Sequence, residues 1–301
     1  MKVTVTYLPL VSKGDTMHSG EYNSFGQILT KVLDISKYQD SNLTPERPDF
    51  KKAREKGTRG VVIRISANNG MDEDADYNWK AAQDAGIVPM AYHWFEYRKG
   101  IMVGGKEQAE TCLAVLDEIN GGVENVPIWL DYEQPGADWP PLPNYYESIS
   151  NLSRFYEVTD PATKRLTGLY GNRVTVASIT PVPVRTLTRP FWPAGWIFSR
   201  LIRAEEIVGL SWRPNISPWK KFTLWQVGVT YGYEYGMESK EVDLNFFNGT
   251  AEELFAFAGY SVPTEPTQPP PDPLTLQEQV DLIKVDIEKL RQEMKDHGWD
   301  V

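Results

Sequence analysis

Two carboxylates follow a short apolar run in the middle of the chain, in the segment Val126-Pro-Ile-Trp-Leu-Asp-Tyr-Glu133. Asp131 and Glu133 stand two residues apart, so an extended strand directs both side chains to one face, with Cα atoms about 6 to 7 Å apart. Cleavage of a glycosidic bond needs such a pair, because one carboxyl group donates a proton to the leaving oxygen while another stays ionised. The spacing alone leaves a surface or salt-bridged structural role equally open, since Asp286 and Glu288 repeat it in a charged tail.

The apolar run before these carboxylates is typical of a strand buried on both faces, as in a parallel sheet covered by helices. Similar runs recur along the chain, and the first four alternate with helical segments, which predicts parallel strands in a wound or barrelled α/β fold. Four more runs follow with fewer helices between them, so we predict an irregular eight-stranded barrel. The predicted strands are residues 32–36, 60–66, 87–95, 126–133, 166–171, 191–197, 222–227 and 242–247, and the predicted helices are residues 76–85, ended by Gly86, and 106–119.

The length, composition and charge of the chain limit the classes of protein to which it can belong. The chain has 301 residues, of which 41% are hydrophobic and 24% are charged, enough for one barrel-sized domain with appendages. Its net charge of -10 argues against a nucleic-acid partner, which would require a concentrated basic surface. Because no apolar run approaches about 18 residues, no membrane insertion is predicted. The first ten residues alternate like a short strand and lack the apolar core of a signal peptide.

Metal and cofactor sites are not predicted. Cys112 is the only cysteine and falls on the apolar face of a predicted helix, so we interpret it as a buried, inert thiol. His18, His93 and His297 are scattered, and His93 is interpreted as a hydrogen-bonded core residue. The acidic run at residues 72–76 resembles alternating calcium ligands but lacks the glycine and the glutamate of a calcium-binding loop.

The chain divides into four parts. Residues 1–29 form an extension, residues 30–260 the barrel, residues 261–273 a proline-rich linker and residues 274–301 a helical tail. Apolar residues in the tail recur at heptad spacing, which favours a short coiled coil and hence a homo-oligomer. Docking of the tail on another protein, or back onto the barrel, is the alternative. The heptad positions are Leu276, Val280, Ile283, Ile287, Leu290 and Met294.

Five motifs in order give the chain a family resemblance. It resembles glycoside hydrolase family 25, the muramidases often called Chalaropsis-type lysozymes, over roughly residues 32–260. The motifs are Asp34-Ile-Ser-Lys-Tyr-Gln39, Tyr92-His-Trp-Phe95, Asp131-Tyr-Glu133, Leu224-Trp-Gln226 and Val242-Asp-Leu-Asn-Phe-Phe-Asn-Gly249. The resemblance implies an irregular β/α barrel that cleaves the β-1,4 bond between N-acetylmuramic acid and N-acetylglucosamine in bacterial peptidoglycan.

The resemblance also implies roles for the acidic residues. Glu133 matches the general acid, Asp131 the neighbouring carboxylate, and Asp34 and Asp243 the aspartates of the first and last strands. All four are expected at the C-terminal ends of strands, where barrel enzymes keep their chemistry. For Asp34 and Asp243 the alternative is a structural role, in which they cap loops or pair with Arg64. Direct attack by water and assistance from the 2-acetamido group of the substrate both stay open.

Aromatic residues near the predicted strand ends are candidates for stacking on sugar rings. The candidate substrate-binding residues are Tyr92, Trp94, Trp139, Trp225 and Gln226, with Trp192 and Trp196 as further aromatic residues nearby. Tyr92 and Trp225 are favoured, because the family motifs include them. The family usually has a glutamate in the segment after the second strand, and residues 66–70 lack it.

The predicted function is therefore that of a peptidoglycan hydrolase. A phage or prophage lysin, held in the host cytoplasm until release to the wall or carried on the virion, would fit the absence of a signal peptide and the predicted tail. Two rivals stay open. One is a barrel without catalytic activity that serves as a glycan-binding or virion structural module, and the other is an enzyme that acts on a different aminosugar polymer such as chitin.

Overall fold

The computed structural model describes residues 21–22, 28–40, 47–98, 104–136, 138–208 and 214–261. The strands are β1 (Glu21–Tyr22), β2 (Ile28–Ile35), β3 (Gly60–Ala67), β4 (Gly70–Met71), β5 (Val88–Trp94), β6 (Ile128–Asp131), β7 (Gly168–Gly171), β8 (Phe191–Pro193), β9 (Leu224–Tyr231) and β10 (Glu241–Asn248). The helices are α1 (Phe50–Glu55), α2 (Ala75–Asp84), α3 (Gly105–Asn120), α4 (Tyr145–Thr163), α5 (Arg173–Ser178), α6 (Val184–Leu187), α7 (Ala204–Val208) and α8 (Ala251–Phe257), with 3-10 helices at Lys37–Gln39 and Gly232–Tyr235.

Eight strands form a nearly closed barrel in the order β8, β7, β6, β5, β3, β2, β10, β9. The six strands from β2 to β8 in this order are parallel, as expected of strands joined by helical crossovers. Strand β10 instead runs antiparallel to both β2 and β9. A parallel bridge between Ala194 and Gln226 links the two ends of the sheet. The predicted α/β barrel is confirmed, and the reversal of β10 is the feature that the sequence pattern did not predict.

Alternate residues of each barrel strand face opposite sides of the sheet, and this separates two apolar layers. One cluster fills the barrel interior and includes Val32, Val62, Met90 and Trp129. The strand residues between these positions belong to a larger cluster that packs under the helices. Interior packing is tight at Gly168, where an added Cβ would lie 2.3 Å from the Trp129 ring. Toward one rim the inward-facing positions change from apolar to polar, and the candidate site lies there.

Two of the helices were predicted to within one residue at each end. Helix α2 is followed by Gly86 and α3 by Gly121, and both glycines have positive φ, as helix ends favour. The longest helix, α4, was not predicted. Its buried face carries Ser148, Asn151 and Thr159 beside its apolar residues, so its hydrophobic periodicity is weak.

Several predictions fall outside the described residues. These are the strand within residues 1–10, nearly all of the linker, and the coiled-coil tail of residues 274–301. Within the described part of the chain, every helix is too short or too polar to cross a membrane.

Candidate active site

Four acidic side chains meet at one rim of the barrel, and we call them the carboxyl cluster. Asp34 is the next-to-last residue of β2, Asp131 is the last residue of β6, and Glu133 lies two residues farther on the same face. Asp243 is the third residue of β10, so the expectation that all four would lie at C-terminal strand ends is wrong for it. Because β10 is antiparallel, its beginning lies at the rim where the parallel strands end, and Asp243 stands directly opposite Asp34 in the register.

Asp34 is held by a network of amides. Its Oδ2 accepts hydrogen bonds from Asn245 Nδ2 at 2.7 Å and from Gln226 Nε2 at 3.2 Å. The side chains of Asp34 and Asp243 also interact directly, and a hydrogen bond between them would need a proton on one of the two carboxyl groups. Arg64 pairs with Asp72, to which its Nε donates at 2.7 Å, and no ion pair between Arg64 and either aspartate of the cluster occurs among the described residues. The alternative role of these aspartates as partners of Arg64 is therefore wrong.

Asp131 and Glu133 have few polar partners. Asp131 is buried, and its Oδ1 has no hydrogen-bond donor among the described residues. Glu133 is half-buried and accepts a hydrogen bond at Oε2 from Asn172 Nδ2 at 3.2 Å. No cation is paired with either carboxyl group in the described part of the chain, although the charge of Arg64 acts on Asp131 from a distance. Such surroundings favour the neutral, protonated form of a carboxyl group.

Burial and mutual repulsion raise the proton affinity of the whole cluster. Burial, opposed by the hydrogen bonds from Asn245 and Gln226, raises the pKa of Asp34 to about 6. Burial and the nearby charge of Asp34 raise the pKa of Glu133 to about 7, and the bond from Asn172 opposes this shift. The pKa values of Asp131 and Asp243 are raised well above the usual range, again by burial first and by neighbouring carboxylates second.

These interactions make the cluster titrate as one coupled system rather than as four independent acids. At neutral pH it holds protons that solvent-exposed carboxyl groups would have released below about pH 5. A carboxyl group with a pKa near 7 is suited to general acid catalysis, since it is both protonated and able to give its proton up.

A cavity of about 530 Å³ opens beside the cluster, and Asp34 and Asp243 form part of its wall. This volume lies within the range of about 300 to 1,000 Å³ that is usual for small-molecule sites. Tyr92, Trp94 and Trp139 also line it, with the rings of Trp94 and Trp139 5.9 Å apart in an edge-on arrangement. A larger cavity of about 1060 Å³ contains none of the four acidic residues. The smaller cavity is therefore the candidate substrate site.

Trp225 does not belong to this cavity, which corrects its predicted role in sugar stacking. Its side chain is 2% exposed and belongs to the apolar layer outside the barrel, where its indole N–H donates to Gly195 O. Neighbouring strand residues face opposite sides, so Gln226 faces inward. Gln226 binds Asp34 and accepts hydrogen bonds from Tyr170 and Trp196, so it holds the carboxyl cluster rather than lining the cavity.

The two further aromatic residues near the strand ends, Trp192 and Trp196, also differ in burial. Trp192 is buried inside the barrel and donates its indole N–H to Asn245 Oδ1 at 2.8 Å, whereas Trp196 is half exposed. Trp192 therefore fixes the amide of Asn245 so that its nitrogen faces Asp34.

Two amide residues of the site were missed in the sequence. Asn245 follows Asp243 by two residues, so strand alternation already places both on one face. Asn172 precedes α5 and forms a capping box with Thr175, a pattern that is visible as an asparagine followed three residues later by a threonine.

The other reactive groups singled out in the sequence are structural. His93 is buried between Ser66 and Gln108, and burial lowers its pKa to about 4. Cys112 is buried, and burial raises the pKa of its thiol to about 12. Both interpretations from the sequence are confirmed.

The acidic run at residues 72–76, which we call the acidic turn, pairs with arginines. Asp72 accepts from Arg64, and Asp74 accepts from Arg47 Nη2 at 2.7 Å. Among the described residues, no group of three or more acidic, histidine or cysteine side chains is arranged to hold a metal ion. Asp72, Glu73 and Asp74 of this turn are thus each paired with a cation of the protein, the partner of Glu73 being Lys37.

A β/α barrel with buried carboxyl groups beside a sugar-sized cavity at one rim has the site of a glycoside hydrolase. Comparison with protein families gives the same class, because residues 33–227 match the model for glycosyl hydrolases family 25. The chain belongs to this family and is a glycoside hydrolase. The matched range includes Asp34, Asp131 and Glu133 but ends before Asp243.

Individual relatives are distant in sequence. The chain is 26% identical to the uncharacterized protein YegX of Escherichia coli strain K12 over 231 residues, which cover 75% of this chain and 72% of YegX. Its fold is similar to that of a bacterial lysozyme from Streptomyces coelicolor, with a TM-score of 0.59, 22% identity and coverage of 76% and 96% of the two chains. It is also similar to a muramidase from Acremonium alcalophilum, with a TM-score of 0.57, 23% identity and coverage of 76% and 98%.

Proposed function

We propose that the chain is a peptidoglycan muramidase that cleaves the β-1,4 bond between N-acetylmuramic acid and N-acetylglucosamine. The observation that carries this proposal is the carboxyl cluster itself. Four acidic groups are gathered at one rim of the barrel, two of them, Asp34 and Asp243, in the wall of the cavity, and neither Glu133 nor Asp131 forms an ion pair with a cation among the described residues. Such an arrangement costs stability, and it supplies what glycosidic bond cleavage needs, namely a proton donor and a second carboxyl group within one site.

Glu133 is the proposed general acid. It is half-buried and carries a pKa of about 7, so it is protonated over much of the neutral range. Transfer of its proton to the glycosidic oxygen lets the leaving sugar depart as a neutral alcohol. Proton donation of this kind contributes on the order of a hundredfold to ten-thousandfold to a reaction rate.

Asp131 is the proposed second carboxyl group. It is on the same face as Glu133, and the role requires the state of the coupled cluster in which Glu133 carries the proton and Asp131 does not. In that state the Asp131 carboxylate would stabilise the cation-like transition state or orient the 2-acetamido group of the sugar. Glu133 gives its proton to the departing oxygen as the glycosidic bond breaks. If water attacks the sugar carbon, its proton passes to the Asp131 carboxylate; if the acetamido oxygen attacks, it forms a ring that water then opens, with the Glu133 carboxylate taking the proton of that water. The attacking group is water or the oxygen of the acetamido group, and these routes differ in product, since water gives inversion at the anomeric carbon and the acetamido route gives retention.

Asp34 and Asp243 are proposed to set the amount of negative charge in the site. A proton shared between them would halve their charge, and amide donors from Asn245 and Gln226 stabilise the charge that is left on Asp34. Both side chains border the cavity, so the sugar ring would lie against them. Trp94 and Trp139 provide apolar ring faces suited to a sugar, and Tyr92 forms part of the same wall.

The named relatives support the choice of substrate. The lysozyme from Streptomyces coelicolor and the muramidase from Acremonium alcalophilum share the fold, and both names describe enzymes of this reaction class. The phage setting and an oligomer formed through residues 274–301 stay predictions. Sedimentation of the whole chain and of residues 1–273 tests whether the tail forms an oligomer. Monomers in both cases would refute this prediction.

Digestion of purified peptidoglycan tests the function. The wild type should release fragments whose reduced ends carry muramic acid by mass spectrometry, and Glu133→Gln should be on the order of a thousandfold slower. Glu118→Gln, at an exposed position on α3, is the matched control and should keep wild-type activity.

Each other outcome of the digestion selects a different function. Binding of peptidoglycan without any fragments would contradict the proposal and identify a glycan-binding module. Faster turnover of chitin oligomers than of peptidoglycan would identify the other aminosugar polymer as the substrate. The anomer formed first, followed by proton NMR, separates attack by water from assistance by the acetamido group.

A further inference from the structure

Three hydrogen bonds tie the segment that carries Glu133 to the start of α5, and the longest of them joins Asn172 Nδ2 to Gln134 O at 3.5 Å. Asn172 Nδ2 donates to Glu133 Oε2 at 3.2 Å, and Thr175 Oγ1 donates to the backbone oxygen of Tyr132 at 2.7 Å. Thr175 reaches this position only because residue 171 is glycine, since a Cβ there would lie 2.6 to 2.8 Å from three atoms of the Thr175 side chain. The end of β6 and the beginning of α5 therefore form one rigid unit around Glu133.

The amide of Asn172 has a fixed orientation. Its Oδ1 accepts from the backbone N–H groups of Val174 at 2.8 Å and Thr175 at 3.2 Å, which is the N-cap bond of α5. An oxygen in that place leaves only the NH₂ group to face Glu133. An NH₂ group donates and cannot accept, so Oε2 of Glu133 must be an acceptor in both protonation states. When Glu133 is protonated, its hydrogen is therefore favoured on Oε1, because the carbonyl oxygen of a carboxylic acid accepts more strongly than its hydroxyl oxygen.

We propose that Asn172 is a positioning residue that favours the acidic proton of Glu133 on Oε1 and so aims the proton donor. This inference deepens the proposed function and rests on Glu133 being the general acid. The helix cap fixes the amide, the amide fixes the oxygen that accepts, and the remaining oxygen carries the proton. The bond also stabilises the ionised carboxylate that remains after proton transfer, because a donated hydrogen bond favours the charged form.

Two substitutions separate this role from capping. Serine and aspartate are both good N-cap residues, so Asn172→Ser and Asn172→Asp should retain α5. Asn172→Ser removes the amide NH₂ and leaves a hydroxyl on a shorter side chain, and Asn172→Asp replaces the amide with a carboxylate. Asn144 is the matched control, since it caps α4 by accepting from the Glu147 N–H and has no hydrogen bond to the carboxyl cluster.

Carbon-13 NMR titration of the Glu133 carboxyl is the test, because it reports on Glu133 without requiring activity. Relative to the wild type, the titration midpoint should rise by about half to one pH unit in Asn172→Ser and by more in Asn172→Asp, where a like charge is added. Asn144→Ser and Asn144→Asp should leave it unchanged. In peptidoglycan digestion the alkaline limb of the pH profile should move in the same order, with a rate about tenfold lower for Asn172→Ser.

The two readouts separate failure of this inference from failure of the proposed function. Unchanged Glu133 midpoints in both Asn172 variants would overturn the positioning role, whether or not the wild type digests peptidoglycan. If the Glu133 midpoints rise in both Asn172 variants but the wild type has no hydrolytic activity, the inference about Asn172 stands and the proposed muramidase function is wrong. Equal shifts in the Asn172 and Asn144 variants would assign the effect to loss of a helix cap and overturn the inference.

Discussion

The acidic turn and the carboxyl cluster both contain buried aspartates, but the protein treats their charges in opposite ways. In the acidic turn, Asp72 and Asp74 each accept from an arginine. In the carboxyl cluster, Asp131 and Glu133 form no ion pair with any cation that the structure describes, and their raised pKa values favour bound protons instead. Cations that are built into the protein hold a structure together permanently, whereas a bound proton can be given away. The difference separates a structural acidic group from a chemical one.

Loss of a partner should therefore be most costly in the acidic turn. Asp72→Asn leaves Arg64 without its partner in a site where the two side chains are only 1% and 12% exposed. We expect a loss of about 3 to 5 kcal/mol in the free energy of unfolding, measured by urea denaturation. Asp84→Asn, which breaks an exposed pair with Lys80 on α2, should cost no more than about 0.5 kcal/mol. Equal losses in the two variants would refute the structural role of the Asp72 pair.

In the carboxyl cluster, removal of a charge should instead raise the free energy of unfolding. The folded-state pKa of Glu133 is about 7 against an ordinary value of 4.5, so the proton stabilises the fold below about pH 4.5. That stability is lost as the pH rises through about 7. Because glutamine does not ionise, Glu133→Gln does not lose this stability. Its free energy of unfolding should exceed that of the wild type by about 2 to 3 kcal/mol at pH 8.

The same comparison at pH 4 is the control, because there both the folded and the unfolded wild type carry the proton. The stability difference between Glu133→Gln and the wild type should then shrink toward zero. A difference that is independent of pH would mean that packing, and not the ionisation of Glu133, separates the two proteins.

Much of this contrast could be predicted from the sequence. An apolar run followed by alternating carboxylates placed Asp131 and Glu133 on one face at a strand end. The parallel strands and both glycine-terminated helices followed from periodicity and capping, which are local properties of the chain.

Other features could not be predicted because they depend on tertiary pairing. Hydrophobic alternation does not reveal strand direction, so the reversal of β10 and the position of Asp243 at its beginning were missed. Alternation also allows only one of two adjacent residues to face inward, and the choice between Trp225 and Gln226 was set by the barrel register. The contact from Asn172 to Glu133 joins residues that are 39 apart in the chain.

Titration of the Glu133 carboxyl in the wild type tests the central claim most directly. In protein labelled with carbon-13 at glutamate carboxyl groups, one resonance should titrate with a midpoint of about 7 and be absent from Glu133→Gln. That result would identify Glu133 as a group that holds its proton near neutral pH. A protein in which the Glu133 resonance titrates near 4.5, like an exposed glutamate, would contradict the account of the carboxyl cluster as the proton donor site.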